Sequence, residues 1–311
     1  MTVIWHETSF FKQFAEQAAM SSLARSKVAT ANYWRARFTS SLGIGGGLIA
    51  FFVIVALLTP FVAPYAPDKV LAGERLAPPS AAYLFGTDSL GRDLFSRVLF
   101  GTRIALWTML FGVVIAAALG MVPGLVSGYA GGWIDQVLAR VMEIGLTFPG
   151  LLLALIIVAR LGPSLDNAIL ALGIISAPGF YRIARSQTIS VRRLQYVEAA
   201  QSLGASNVRI LFHHIAPNLL SSLIVVATGR AGTLLLAIGG LSFLGLGAQP
   251  PLPEWGALLA AGRSYLDIAP WLAIFPGLSV TLLVLGANLF GDGLRDLLDP
   301  HRHGRNLRLN D

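Results

Sequence analysis

Six apolar runs, each near the ~20 residues that a helix needs to cross hydrocarbon, begin near Leu42, Ile104, Val137, Ala168, Leu219 and Trp271. Their spacing predicts an all-α polytopic membrane protein with six transmembrane helices. The fourth run is the weakest, because Pro178 and Gly179 interrupt it and Arg182 arrives early. Gly and Pro are tolerated in a span whose neighbours satisfy the freed backbone groups, so this run is expected to be packed by protein rather than lipid. In residues 65–102 a Pro-rich start gives way to Leu90, Leu94 and Val98 at helical spacing. That pattern predicts an amphipathic helix along the outer surface, with Arg92, Asp93 and Arg97 pairing on its wet face. Gly128 to Trp133 predicts a tight turn between the second and third spans. Pro250, Pro251 and Pro253 stiffen the last external loop, and Glu254-Trp255-Gly256 is expected to open a short re-entrant helix.

One polar stretch, Tyr196 to Asn218, lies between apolar spans. Glu198, Ala199 and Ala200 favour helix and carry small side chains, Gly204 falls where such a helix would end, and Pro217 is expected to stop the next segment. The pattern predicts a short helix, a bend and a second helix. A small-residue face lets another backbone approach closely, which suits docking into a partner's groove and equally suits ordinary helix packing.

Composition agrees with the periodicity. Of 311 residues, 55% are hydrophobic and 13% charged, where a soluble domain has about a quarter charged. The net charge of +7 is spread among apolar spans, so it points to topology and anionic lipid rather than nucleic acid. Lys and Arg collect in residues 1–41, in 181–218 (Arg182, Arg185, Arg192, Arg193, Arg209) and at the end of the chain (Arg295, Arg302, Arg305, Arg308). In the first external loop Lys69, Arg75, Arg92 and Arg97 are matched by Asp68, Glu74, Asp88 and Asp93. Both termini and the polar stretch are therefore expected in the cytoplasm. The organisation reads as a cytoplasmic tail (1–41) with Phe10, Phe11 and Phe14 on one side of a helix, an uncleaved anchor (42–64) and an external loop (65–102). A five-span core (103–299) containing the polar loop 186–217 follows, then a short cytoplasmic tail (300–311).

Candidate chemistry is sparse. Cysteine is absent, and none of Lys12, Lys27 and Lys69 follows a glycine, so there is no Walker A loop and any ATP must be bound by another chain. No nucleophile stands with a base at depth, so no catalytic residue is expected. An ion-coupled transporter would need carboxylates within its spans, and only Glu143 and Asp166 offer themselves, both near span ends. His213 and His214 point about 100° apart on a helix, with no acid or Cys partner at useful spacing, so no metal site is expected. Arg140 and Glu143, three apart, can pair on one helix face near the cytoplasmic mouth. Arg230 stands about twelve residues into the fifth span, where an arginine costs ~2.5–3.5 kcal/mol on insertion scales. It either lines a translocation pathway or pairs with an acid on a neighbouring helix or partner chain. Gly229, Gly232, Gly239, Gly240, Gly245 and Gly247 permit close contacts in and after the same span.

Glu198-Ala199-Ala200, Gly204, Ile215 and Pro217 together resemble the cytoplasmic "EAA" loop of ABC-importer permeases. Three further blocks, in the right order, resemble the dipeptide/oligopeptide/nickel branch: Gly86-Thr87-Asp88 with Gly91-Arg92-Asp93, Ser96-Arg97, Gly101 and Arg103; Leu241 to Gly247 with Gln249 to Gly256; and Asn288 to Pro300. Many members carry an acid shortly before the second of these, where this chain has Ala237, Ile238, Gly239 and Gly240. The resemblance, covering roughly residues 42 to 300, implies the type I permease fold in a bacterial inner membrane. It also implies a homologous second permease, two ATPase subunits that bind ATP and Mg, an external solute-binding protein, and no cofactor in this chain. Glu198 to Gly204 would then dock on an ATPase subunit, and the last external loop would face the binding protein. The implied cargo is peptides or related solutes such as glutathione-like compounds and nickel chelates.

Overall fold

The computed structural model describes residues 41–298; the two expected tails, with Phe10, Phe11 and Phe14, lie outside them. The described residues are mostly helical: α1 (Ser41–Val62), α2 (Leu94–Ala130), α3 (Gly132–Thr147), α4 (Gly150–Leu161), α5 (Leu165–Arg192), α6 (Gln195–Ser202), α7 (Asn207–Phe243), α8 (Trp255–Gly262) and α9 (Trp271–Leu298). Five of these, α1, α2, α5, α7 and α9, are long and apolar enough to span a membrane. The one antiparallel bridge among the described residues joins Thr87 to Asp93 outside them.

The central contact is between α2 and α5. Gly112, Ala116, Gly120, Gly124 and Gly128 place a small residue every fourth position on α2, which makes a flat stripe on one helix face. A Cβ at Gly124 would stand 2.8 Å from the Tyr181 carbonyl, and one at Gly128 would stand 2.7 Å from Thr188 Cβ. Gly112 and Ile115 lie against Gly173. Positions rise together along both helices, so α2 and α5 run parallel. The chain between Ala130 and Leu165 must then return across the same thickness, and α3 with α4 is what returns it. This pair, bent by 93°, is the sixth crossing.

The bend falls at Phe148 and Pro149, both in extended conformations. Proline has no N–H to give and drives its predecessor out of the helical region. The sequence places the interruption in the fourth span instead. There α5 runs unbroken through Pro178, and its apolar window is 61% buried, the highest of the five long helices. Identical residues give opposite outcomes because Pro178 is enclosed by neighbours, whereas α3 has no buried residue.

Antiparallel contacts complete the bundle. Gly179 of α5 meets Arg230 of α7, Gly232 of α7 meets Val284 and Asn288 of α9, and Gly286 and Gly293 of α9 meet Leu48 and Leu42 of α1. Leu42, Ala130, Arg192, Asn207 and Gly293 therefore share one face, and Val62, Leu94, Leu165, Phe243 and Trp271 the other.

On that second face the expected surface helix is absent. Leu94 and Val98 are buried in the first turns of α2, which begins at once behind its N-cap Asp93, whose carboxylate accepts from Ser96 N at 2.8 Å. The charges are not a wet face either. Asp88 pairs with Arg92 at 2.7 Å, and Arg97, 3% exposed, gives Nη1 to the Pro67 carbonyl at 2.8 Å. Trp271 Nε1 donates to Thr87 O at 3.3 Å, and Trp255 Nε1 to Val98 O at 3.1 Å. The loop that carries these motifs is thereby stitched to α2 and α9, and α8 to α2. A side chain at Gly101 would strike the Trp255 ring. The short helix expected at Trp255 is α8, capped by Glu254, which accepts the Ala257 N–H at 2.9 Å.

Candidate functional site

The first face carries the polar stretch. Of α6, Val197 is buried, together with Ile210 and Ile215, and these apolar residues join a cluster with Leu125, Phe180, Ala184 and Leu219. Burying them seats α6 against α2, α5 and α7 by the hydrophobic effect. Its other side is open: Glu198 and Ala199 are exposed, Ala200 is half-buried, and Leu203 is 88% exposed. Gly204 takes φ +80°, the left-handed turn that ends a helix and that other residues adopt at a cost. Its N–H closes on Gln201 O at 2.9 Å.

Beyond the bend the second helix does not stop at Pro217. Residues Ile210–Ile215 form a wider π turn, and the helix continues through Pro217 to Phe243. A π turn changes which carbonyl each N–H meets, so a residue without an N–H is accommodated just past it. The fifth span thus begins at Asn207, well before Leu219. Of the resembling motif, Ile215 is a buried anchor, whereas Pro217 is exposed.

Tyr129, Gln201, Asn207 and Arg192, none of them expected as a site residue, fix this segment. Tyr129, at the end of α2, donates to Asn207 Oδ1 at 2.8 Å and receives Gln201 Nε2 at 3.3 Å. Arg192, near the end of α5, gives Nη1 to the Tyr129 carbonyl at 2.6 Å and stacks over its ring at 5.3 Å. Behind them Arg185 makes a two-armed pair with Asp135 of α3, both bonds 2.5 Å, and Asp135 also accepts from Ser127. On the far side Asn218 Nδ2 donates to His214 O at 2.6 Å and to the Tyr196 hydroxyl at 3.1 Å. A cavity of about 400 Å3 opens between these elements, lined by Ser127, Asp135, Arg192, Arg193, Glu198 and Gln201 among others. The histidine rings are 6.1 Å apart and nearly perpendicular, so they do not converge on one point.

The other candidates lie apart. Arg140 and Glu143 do pair, at 3.3 Å, with side chains 79% and 61% exposed. Arg230 is exposed, its guanidinium resting beside Gly179, where a Cβ would stand 3.1 Å from Nη2.

A helical bundle carrying a rigidly seated, outward-facing short helix on one face has a counterpart among known families. The model of the binding-protein-dependent transport system inner membrane component matches residues 120–304. The chain belongs to that family. The permease is 46% identical over 257 residues to the dipeptide transport system permease protein DppC of Alkalihalophilus pseudofirmus, covering 83% of this chain and 84% of that protein. It is 43% identical over 270 residues to the glutathione transport system permease protein GsiD of Pectobacterium atrosepticum, covering 86% and 90%. Among solved structures, a chain of the MetNI methionine ABC transporter in an inward-facing conformation gives a TM-score of 0.47 at 19% identity, over 62% of this chain and 94% of that one. The permease is thus an ABC-importer subunit of the peptide and nickel branch, and a multi-pass protein of the bacterial inner membrane.

Proposed function

We propose that the permease forms half of a translocation pathway for di- or oligopeptides or related peptide-like solutes, and that α6 is the lever through which ATP drives it. The observation that carries this reading is the two-sidedness of α6. Val197 locks it to the bundle, while Glu198, Ala199, Leu203 and Gly204 face outward. A short helix held so firmly on one side passes a push from a docked partner into α2, α5 and α7 rather than absorbing it.

The partners of this reading are a homologous second permease, two ATPase subunits that bind ATP and Mg, and an external solute-binding protein. This chain itself would hold no cofactor and do no chemistry. The face with α6, Leu42 and the end of α9 is the cytoplasmic one, in line with the arginines gathered there. Alternating access then needs two global states with different ATP affinities, and cargo is moved by switching between them. The similarity to dipeptide and glutathione permeases supports peptide-like cargo; nickel chelates are the second reading in the same assembly.

The test is co-purification of the tagged chain from its native membranes, followed by uptake in proteoliposomes rebuilt from the recovered subunits. Glu198→Ala and Gly204→Val are expected to leave the two permeases together while uncoupling ATP hydrolysis from uptake. Unchanged coupling in both variants removes α6 from the drive, and a chain that purifies alone and still transports overturns the assembly.

A further inference from the structure

The exposed faces of the long helices are not alike. That of α1 presents Phe51, Ile54, Leu57, Leu58 and Phe61, as a surface against lipid should. At mid-bundle α7 presents Gly229, Arg230 and Thr233, two of which lipid does not favour. Arg230 faces Gly179, halfway along α5, so it lies near the middle of the membrane. Its guanidinium has no hydrogen-bond or ion-pair partner among the described residues, although arginine carries five donors and keeps its charge. Pro178 beside it has no N–H for the Ile174 carbonyl, and α3 approaches the same turn through Gly145, where a Cβ would lie 3.7 Å from Pro178 Cγ. The unpaired cation thus rests on α5 at a turn that α3 also approaches, open on its other side, and the missing side chain of Gly179 leaves the guanidinium its space.

An unsatisfied guanidinium at this depth is stable only beside water or an acceptor that comes and goes. Its planar fork matches a carboxylate two bonds at a time. We propose that Arg230 is the carboxylate-recognising residue of the pathway, pairing with the terminal carboxylate of a peptide-like cargo as it crosses. This rests on the transport reading above and narrows it: anionic carboxylate ends would be favoured over neutral amides.

The experiment uses the complete assembly in proteoliposomes, with binding protein and ATP, and measures uptake of a dipeptide and of its C-terminal amide, each saturating the binding protein. Comparing variants under one binding protein removes that protein's own selectivity. Arg230→Gln is expected to cut uptake of the free acid by ~10-fold or more, the worth of a two-armed charged pair. Amide uptake and ATP hydrolysis should change less than ~2-fold by the same reasoning, and Arg230→Lys should fall between. An equal fall for acid and amide, or no change in either, overturns the proposal. So does loss of the second permease on purifying Arg230→Gln, which would mark Arg230 as one half of an ion pair between subunits. Wild-type assemblies that move neither substrate defeat the transport reading itself.

Discussion

Tyr129 and Asn207, 78 positions apart in the chain, share a 2.8 Å hydrogen bond that ties the last turn of α2 to the first residue of α7. The same hydroxyl receives Gln201 of α6, so one side chain holds three elements together on that face. Tyr129→Phe should keep the packing and lose both bonds, at about 1–2 kcal/mol. Hydrogen exchange across residues 195–209 should speed up by ~5–30-fold, with the spans unaffected. Unchanged exchange there would mean that apolar seating alone positions α6.

The glycine stripe of α2 makes a graded expectation. At Gly112 an added Cβ meets nothing closer than 3.6 Å, whereas at Gly124 it meets Ala184 Cβ and the Tyr181 carbonyl at 2.8 Å. Gly112→Ala should be nearly neutral, and Gly124→Ala should cost about 1–3 kcal/mol as overpacking. Thermal unfolding of the purified protein in detergent separates them; equal effects would sink the account of the α2–α5 contact.

Two ion pairs of α3 should differ in worth. Arg185 and Asp135 are tied by two 2.5 Å bonds and share Ser127, while the Arg140 and Glu143 side chains are largely uncovered by the bundle. Asp135→Asn should destabilise by about 1–3 kcal/mol. Glu143→Gln should change stability by less than ~0.5 kcal/mol. A double-mutant cycle for each pair, read by thermal unfolding, checks the difference.

Glu254, 4% exposed, has its carboxyl pushed above the usual range by burial, with the Gly256 and Ala257 N–H groups and Ser242 pulling the other way. The folded protein therefore holds this proton to higher pH than the unfolded chain does. Its contribution to stability is complete below the ordinary glutamate range and is lost as pH rises through the raised value. Glu254→Gln keeps an acceptor oxygen for the cap and cannot ionise. Melting temperature followed over ~pH 4–8 should fall with pH more steeply in wild type than in the variant; parallel curves would show that Glu254 ionises without cost.

The long spans were legible because a helix in lipid must be apolar for some twenty residues, and that signal needs no knowledge of neighbours. The α6 bend was legible for a similarly local reason, since Gly204 marks it. Packing was harder. The stripe from Gly112 to Gly128 stood in the sequence at four-residue spacing, and only attention to small residues would have found it. Pro149 and Pro178 could not be ranked as breaks without knowing that α5 is enclosed and α3 is not. Arg92, Asp93 and Arg97 read as a wet face because their burial comes with contacts such as that of Arg97 to the Pro67 carbonyl, 30 positions away, which no local window contains. Tyr129, Arg192 and Asn207 meet only once the bundle has formed.

The bent third crossing has a mechanical corollary. α3 buries no residue, α4 buries only Ala154 and Val158, and a two-residue extended joint divides them. A helix with so few enclosed side chains can be re-angled without opening a cavity in the bundle. The start of α3 is tethered by Asp135 to Arg185, next to the α6 socket. If α6 takes the push proposed above, the segment that yields with least resistance is this crossing, pivoting at Phe148 and Pro149 while α2 and α5 hold their parallel contact.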